Sequence, residues 1–290
     1  MPIAFEGVSY SYEGAGGRLV LDDVNLTVAD GEFLGIAGHT GSGKSTLIQH
    51  MNGILHPTAG RVTAYGVDLA DKKAKAAVRG RIGVVFQYPE HQLFAATVAE
   101  DVAFGPRNLG IDDEEIAERV ARSLSCVGLD PARVSKASPF ELSGGQQRRV
   151  AIAGVLAMDP DVIVMDEPAA GLDPRGREDL LDLVSSLHED GLTVVMVSHS
   201  MSDLAKRSDR IVVMCEGSVF TQGSPAEVFA RGDDLRGIGL DVPPAQKLAS
   251  RLRDRGAVLP RPLYSADTLA QDIARSYRAA MRAEGVADRG

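Results

Sequence analysis

Residues 38–46 read Gly-His-Thr-Gly-Ser-Gly-Lys-Ser-Thr, which matches the pattern G-x-x-x-x-G-K-[ST] of a phosphate-binding loop. The apolar run before it, Phe33–Ala37, predicts a buried strand. After it, three apolar residues recur at helical spacing: Leu47, Ile48 and Met51. The loop therefore joins a strand to a helix, which favours a working phosphate site over a glycine-rich turn that matches by accident.

The residue types in this loop suit a polyphosphate ligand. Its glycines let the backbone turn N–H groups towards an anion, and the following helix points its positive end at the same place. Lys44 is placed to reach the β- and γ-phosphates, and Ser45 to offer its hydroxyl to Mg²⁺. The nucleotide-binding residues expected here are Gly38, His39, Thr40, Gly41, Ser42, Gly43, Lys44, Ser45 and Thr46. The loop predicts a nucleoside triphosphate site without indicating what the triphosphate is used for.

The composition is ordinary for a globular protein. Of the 290 residues, 44% are hydrophobic and 24% charged, which is enough for one large domain or two modest ones. The net charge of −9 argues against a surface that coats nucleic acid, so we expect no nucleic-acid partner.

The cysteines and the apolar segments bear on the compartment. Cys126 and Cys215 lie far apart and outside any Cys/His cluster, which predicts two buried, reduced thiols and neither a disulfide nor a zinc site. No apolar run reaches the ~20 residues that cross a bilayer, and the N-terminus lacks the features of a signal peptide. We expect a chain that neither spans a membrane nor leaves the cytosol by itself, although it can bind a membrane partner.

Polar residues come directly after three predicted buried strands: Gln87, the pair Asp166 and Glu167, and His199. Open α/β sheets bind ligands at the edge where such residues collect, although a lone histidine there is more often structural. Two carboxylates at a strand exit are costly unless a cation or a reaction uses them. We assign Asp166 to Mg²⁺ and Glu167 to the attacking water. The alternative is an acidic pair that caps the turn before Pro168.

Two further segments have both a functional and a structural interpretation. Tyr12, at the end of an extended segment, either stacks on an adenine ring or packs on the sheet. The segment Leu142–Gln146, Leu-Ser-Gly-Gly-Gln, precedes a helix that Ser143 is suited to cap, and its free N–H groups offer a second anion site. On these residues alone, a capped helix with flexible glycines is the preferred explanation.

The remaining pattern alternates extended and helical segments. Residues 3–12 and 19–28 are extended around a predicted turn at 13–17, residues 68–80 form a polar connector, and residues 112–128 form a helix.

Pro89 and Pro106 bracket a stretch that we predict to be irregular. Phe94 and Phe104 in this stretch are expected to be exposed, as on a docking surface.

The pattern breaks near residues 231–234, and we place a boundary there, between a domain at 1–232 and an extension at 233–290. The extension has two amphipathic segments joined by an extended connection at Pro260 and Pro262. It is too small for a strong core of its own, so we expect it to pack on its own domain or on a partner.

Taken together and in chain order, these motifs resemble the nucleotide-binding domain of an ABC ATPase. The resemblance covers residues 1 to about 230, and Leu-Ser-Gly-Gly-Gln is its most specific element. It implies a P-loop NTPase of the α/β class with an N-terminal antiparallel β subdomain, a helical signature subdomain at about 90–160 and a small C-terminal helical extension. The residues that carry it are Gly38–Thr46, Gln87, Leu142–Gln146, Asp166-Glu167, Gly171-Leu172-Asp173 and His199.

The resemblance also implies roles for matching positions, with ATP and Mg²⁺ bound. Tyr12 would stack on adenine, Gln87 would touch Mg²⁺ and the membrane partner, and His199 would lie near the γ-phosphate. The segment Ser143, Gly144, Gly145 and Gln146 would act on the nucleotide of the opposite subunit. Ala169 stands where Thr is commoner, a departure expected to matter little.

Four longer segments resemble the ATPases of energy-coupling factor transporters more narrowly: residues 38–50, 86–94, 104–110 and 238–243. Thr40 and Tyr88 resemble the second of the two paired ATPase subunits. The resemblance implies a peripheral ATPase on the cytosolic face of the membrane that powers uptake of a vitamin or of nickel or cobalt ions. Its partners would be a second ATPase subunit (a paralogue or another copy), a membrane coupling protein and a substrate-binding membrane protein. The extension would contribute to ATPase dimerisation.

Two other classes fit fewer features. A soluble ABC protein of DNA repair or translation would carry a long coiled-coil insertion or a second nucleotide domain, and these residues contain neither. A nucleotide clamp without turnover would be expected to lack the carboxylate or the histidine, but Glu167 and His199 are both present.

Overall fold

The computed structural model describes residues 2–14, 17–71, 78, 80–259 and 264–283. Three predicted features fall partly or wholly on other residues: the middle of the turn at 13–17, most of the polar connector at 68–80, and the connection at Pro260 and Pro262. Those parts lie outside the described residues.

The described residues form ten strands and eleven helices. The strands are β1 (Ile3–Tyr10), β2 (Leu21–Val28), β3 (Phe33–Gly38), β4 (Ala59–Ala64), β5 (Val67–Asp68), β6 (Ile82–Val85), β7 (Val162–Asp166), β8 (Thr193–Val197), β9 (Arg210–Cys215) and β10 (Ser218–Gly223). The helices are α1 (Lys44–Met51), α2 (Val98–Asn108), α3 (Asp113–Cys126), α4 (Pro131–Val134), α5 (Gly144–Leu156), α6 (Pro174–Glu189), α7 (Met201–Arg207), α8 (Pro225–Ala230), α9 (Gly232–Gly237), α10 (Pro244–Asp254) and α11 (Ala266–Ala283). Short 3₁₀ helices lie at Pro89–Gln92 and Pro139–Glu141.

The strands build two sheets of different kinds. An antiparallel sheet has the order β2-β1-β4-β5, which confirms the predicted N-terminal β structure. The other sheet has the order β10-β9-β3-β8-β7-β6, in which all neighbours are parallel except the edge pair of β9 and β10. The fold is therefore the expected α/β arrangement.

The six-stranded sheet is buried on both faces. Along β3, Leu34 and Ile36 belong to the apolar core shared with α1 and the antiparallel sheet. Phe33 and Ala37 belong to the core on the other face, under the helices. Because successive side chains of a strand point to opposite faces, a strand between two cores must be apolar throughout. This is why the motif strands read as continuous apolar runs.

One predicted region was wrong in its secondary structure. The stretch from Pro89 to Pro106 contains helix α2, which starts at a capping box: the Thr97 hydroxyl accepts from the Glu100 N–H and the Glu100 carboxylate from the Thr97 N–H. Pro106 lies inside this helix but near its end, where the missing N–H costs one hydrogen bond and a short remaining turn can absorb it.

The predicted exposure of the two phenylalanines in that stretch is confirmed. Phe94 is 59% exposed and Phe104 50%, and their rings pack edge to face with centroids 4.9 Å apart. The cysteines differ from expectation in one respect, because Cys126 is exposed and Cys215 partly so, although both are free thiols.

The C-terminal extension is helical, and its first part packs on the main domain. Leu235, Leu240 and Val242 belong to the same core as the helical face of the sheet. Helices α10 and α11 share a small cluster of their own, formed by Ala245, Ala249, Leu259 and Leu269. Apolar packing thus continues past residue 232, and the boundary there stays a proposal. No described helix is both long enough and apolar enough to span a bilayer.

His50 in α1 makes the fold sensitive to acid. It is fully buried, its Nδ1 lies 2.8 Å from the Thr46 carbonyl oxygen, and burial lowers its pKa. The unfolded chain binds a proton at this residue at about pH 6.5, whereas the folded chain resists it to lower pH. Stability from the neutral ring is therefore present above that pH and is lost as the pH falls below it.

We expect the free energy of unfolding to decrease from pH 7.5 to pH 5.5, and to decrease less in His50→Gln, because that variant removes the group that must charge. Urea titrations at both pH values measure this. Equal pH dependence in the two proteins would contradict the assignment.

Candidate functional site

The loop at 38–46 closes around its own lysine. Helix α1 begins at Lys44, and its N-cap, Gly43, has φ 98°. The Lys44 ammonium donates to the carbonyl oxygens of Gly38 and His39, both at 2.8 Å. Burial lowers the pKa of Lys44, and the nearby carboxylates of Glu167 and Asp166 oppose that shift. Lys44 is thus a partly desolvated cation whose ammonium group is bound to the backbone of its own loop.

Two glycines of the loop are required by their surroundings. A Cβ on Gly38 would lie 2.6 Å from the Met214 carbonyl oxygen, and one on Gly43 would lie 2.8 Å from that of Val20. Gly41 also has a left-handed φ, of 82°, but nothing lies within 4 Å of its added Cβ. The loop therefore touches neighbouring strands on one side and is open at Gly41.

The carboxylates leave β7 as predicted. Asp166 ends the strand in register with Val197 of β8, and its Oδ2 accepts a hydrogen bond of 3.1 Å from the Ser45 hydroxyl. Burial raises the pKa of Asp166, while the bond from Ser45 and the charge of Lys44 lower it in part. The acid of the sheet and the hydroxyl of the loop are thus joined directly.

Glu167 has a strained backbone and a perturbed carboxyl. Its φ is 49°, a left-handed value that costs a non-glycine residue about 1–2 kcal/mol. Burial and the charge of Asp166 raise the pKa of Glu167 to about 7. Its Oε1 is buried without a hydrogen-bond partner among the described residues, and the His199 Nε2 lies 3.5 Å away. Burial and the charge of Lys44 lower the pKa of His199, so its ring is favoured in the neutral form.

These groups line one cavity of about 250 Å³. The structure brings together the polar residues that were predicted separately at strand exits, and it adds Val20, which no sequence pattern singles out. The lining residues are Val20, Thr40, Gly41, Gly43, Lys44, Ser45, Thr46, Gln87, Asp166, Glu167 and His199.

Three residues of the predicted loop do not line this cavity. Gly38 ends the strand, and the Ser42 side chain is buried. His39 turns aside, with its Nδ1 2.8 Å from the Thr40 carbonyl oxygen and its Nε2 3.9 Å from the Cys215 sulfur. Their contribution is to the shape of the loop.

Tyr12 stands beside the loop. Its hydroxyl lies 3.1 Å from the Thr46 hydroxyl oxygen, its ring packs edge-on against Tyr10, and 44% of its surface is exposed. The ring is therefore partly exposed beside the loop.

The Leu-Ser-Gly-Gly-Gln segment lies apart from the cavity. Ser143 caps α5 in a capping box with Gln146, and Gly144 and Gly145 are exposed. The start of α5 is thus exposed on the surface, and none of these residues lines the cavity of its own chain.

The close packing of Gly43 gives a prediction about stability. Ala at position 41 or 43 must adopt a left-handed φ, which costs about 1–2 kcal/mol in either case. Only Gly43→Ala also pushes a methyl group into the Val20 carbonyl and the Leu21 side chain, so it should destabilise the protein clearly more than Gly41→Ala. Thermal unfolding without nucleotide compares the pair, and equal losses would contradict the contact.

Comparison with known proteins supports a single family. Residues 21–170 match the family model described as ABC transporter. The chain is 56% identical over 270 residues to the energy-coupling factor transporter ATP-binding protein EcfA2 of Symbiobacterium thermophilum, covering 92% of this chain and 93% of the relative. It is 53% identical to the protein of the same name from Clostridium perfringens, over 82% of this chain and 85% of the relative.

A solved structure agrees with these relatives. The structure of cbiO1 from Clostridium perfringens, described as part of the ABC transporter complex cbiONQ, superposes with a TM-score of 0.72 at 36% identity. It covers 87% of this chain and 98% of its own. The chain therefore belongs to the ABC transporter family as an ATP-binding protein of the energy-coupling factor type, an ATP hydrolase coupled to transport.

Proposed function

We propose that this chain binds Mg²⁺-ATP in the cavity at the loop and hydrolyses it on the cytosolic face of the membrane. Hydrolysis would power uptake of a vitamin or a transition-metal ion through a membrane coupling protein and a substrate-binding membrane protein. The observation that carries the proposal is the convergence of Lys44, Ser45, Asp166, Glu167 and His199 on one cavity.

Phosphate binding rests on the loop and the start of α1. Backbone N–H groups at a helix N-terminus favour an anion, and Lys44 adds a positive charge that is already partly desolvated. In the partly buried cavity this charge acts more strongly than it would in water. Tyr12, partly exposed beside the loop, is suited to stack on adenine.

The oxygen donors at the cavity fit Mg²⁺. The Ser45 hydroxyl and the Asp166 carboxylate lie 3.1 Å apart, and the amide of Gln87 comes from the neighbouring strand exit. Mg²⁺ prefers such hard oxygen ligands and usually keeps several waters, with the rest supplied by phosphate. When bound, the ion would neutralise charge on the phosphates.

Glu167 is the group best suited to act on the attacking water. Its buried Oε1 has no hydrogen-bond partner among the described residues, and a pKa of about 7 places it near the pH at which a general base works best. His199, neutral by the direction of its pKa shift, can orient the water or the γ-phosphate from the other side. Positioning and electrostatics, not covalent chemistry, would then supply the rate.

The site is completed by a second ATPase subunit, a paralogue or another copy. Ser143, Gly144, Gly145 and Gln146 face outwards from α5, where they can meet a nucleotide held by the partner. A dimeric structure of the ATP-binding cassette MJ0796, in a post-hydrolysis state with ADP and Pi, superposes with a TM-score of 0.68 at 31% identity, over 77% of this chain and 98% of its own. That likeness supports a paired ATPase.

The membrane coupling protein would dock beside the exposed Phe94 and Phe104. An apolar groove of about 420 Å³ lies there, between the 3₁₀ helix at Pro89–Gln92 and helices α2 and α5. Exposed aromatic residues next to a groove are typical of protein interfaces. The groove lies a few residues beyond Gln87, so a partner there would be close to the nucleotide site.

Measuring ATP hydrolysis with and without the co-purifying membrane proteins separates this proposal from a soluble ABC protein and from a nucleotide clamp. A coupled transporter subunit should hydrolyse ATP at a rate that changes when its co-purifying membrane proteins are present. A soluble ABC protein should be indifferent to them, and a nucleotide clamp should show no turnover. Identifying those membrane proteins would also indicate the transported substrate.

We expect Glu167→Gln to bind ATP but to hydrolyse it about 10²–10⁴-fold more slowly, the range for a positioned general base. Lys44→Ala is the contrasting variant, because it should lose ATP affinity. Turnover assays and nucleotide titrations of both variants measure this. Near-normal turnover in Glu167→Gln would refute the assignment.

We expect Ser143→Ala to lower turnover of the assembled transporter by about tenfold or more, because it removes a group that faces the partner's nucleotide. Ser224→Ala is a matched control, since Ser224 caps α8 in the same kind of capping box. Both variants lose one cap and about 1 kcal/mol of stability. Equal turnover in the two variants would show that Ser143 serves only as a cap.

A further inference from the structure

Arg148 in α5 joins three segments of the chain. Its side chain is only 4% exposed, and its Nε and Nη2 donate to the two carboxylate oxygens of Glu90 at 2.9 and 2.7 Å. Its Nη1 donates to the carbonyl oxygens of Pro168 and Ala170 at 3.1 and 2.8 Å. One buried guanidinium thus donates four hydrogen bonds.

Each of these segments carries a residue of the proposed site or borders one. Glu90 lies in the 3₁₀ helix three residues after Gln87, and Pro168 directly follows Glu167. Arg148 itself lies five residues after Ser143, in the helix that Ser143 caps. The guanidinium therefore fixes the turn after Glu167 relative to the segment that borders the docking groove.

The same two segments also touch without the arginine. A Cβ added to Gly171, in the turn after Glu167, would lie 3.4 Å from the ring of Tyr88. Tyr88 directly follows Gln87 and has a left-handed φ of 54°. The two segments therefore also approach each other closely at a second point.

The chemistry of this link makes it stiff. Burial disfavours the charge of Glu90, but the hydrogen bonds from Arg148, a backbone hydrogen bond and the charges of Arg148 and His91 together outweigh that effect, and the pKa of Glu90 is lowered. A bidentate arginine–carboxylate pair fixes angle as well as distance. Separating the partners would leave a buried charge unpaired, which is strongly unfavourable. The segments around Gln87 and Glu167 should therefore move together.

We propose that Arg148 is a positioning residue for hydrolysis: it holds the turn after Glu167 in fixed relation to the segment after Gln87. A membrane partner that moves this segment would thereby move the carboxylate of Glu167. The inference rests on the proposed function, because it concerns the rate of the same reaction.

The experiment must separate positioning from simple stabilisation. Arg210 offers a matched control, since it also forms a bidentate pair, with Glu32 at 2.7 and 3.2 Å. It lies at the start of β9, at the end of the strand opposite the cavity. Arg210→Lys and Arg148→Lys both lose a bidentate hydrogen-bonded pair between a guanidinium and a carboxylate.

We expect Arg148→Lys and Glu90→Gln to lower kcat about 10–100-fold in the complex with its co-purifying membrane proteins, the cost of a displacement of about 1 Å at a reacting group. The KM for ATP should stay within about twofold of the wild-type value, and Arg210→Lys should keep the wild-type kcat. The double variant of Arg148 and Glu90 should lose no more than the worse single variant, because both act through one link. Glu90→Gln also serves if Arg148→Lys fails to fold.

Wild-type kcat in both Arg148→Lys and Glu90→Gln would overturn the proposal, as would an equal loss of kcat in Arg210→Lys or a change confined to KM. Measuring Glu167→Gln in the same preparation distinguishes failure of the Arg148 proposal from failure of the proposed hydrolysis site. If Glu167→Gln is slow while both other variants are normal, only the role of Arg148 is refuted. If Glu167→Gln is itself normal, the proposed site is wrong.

Discussion

The parallel alignment of β3, β7 and β8 is the constraint on which the site depends. Strands that run in one direction end at one edge, so the groups that follow them must meet there. Here they are the Lys44 ammonium and two carboxylates in a partly buried cavity, where burial lowers the pKa of Lys44 and raises those of Asp166 and Glu167. Their opposite charges limit those shifts.

Much of the fold and of the candidate site could be predicted because it depends on residues that are near one another in the sequence. A strand between two apolar cores must be apolar throughout, a left-handed loop needs glycine, and a carboxylate pair at a strand end stands out from its surroundings. These rules located the loop, Asp166, Glu167 and His199. They also gave Ser143 its place at the start of α5, a position that its capping box confirms.

What the sequence did not reveal depends on contacts between distant residues. Arg148 looks like any polar residue of a helix until Glu90 and the Pro168 carbonyl are placed beside it. Val20 is unremarkable in sequence, yet its carbonyl lies against the loop. Helix α2 was missed for a different reason: the stretch between Pro89 and Pro106 was predicted to be irregular, although Thr97 and Glu100 form a capping box within it and Pro106 falls near the helix end. For Arg148 and Val20, tertiary contacts between distant residues decide the outcome, and local propensity does not.

The contact of Gly43 with the Val20 carbonyl bears on whether the loop would keep its conformation in another protein scaffold. An added Cβ on Gly43 or on Gly217 would come within 2.8 Å of this one carbonyl oxygen, so two glycines from distant parts of the chain fit against the residue just before β2. Part of the glycine pattern in the loop thus encodes a fit to another strand. If residues 38–46 were grafted onto a scaffold without that strand, their sequence would be unchanged, but they would lose the contact surface that helps to set the shape of the loop.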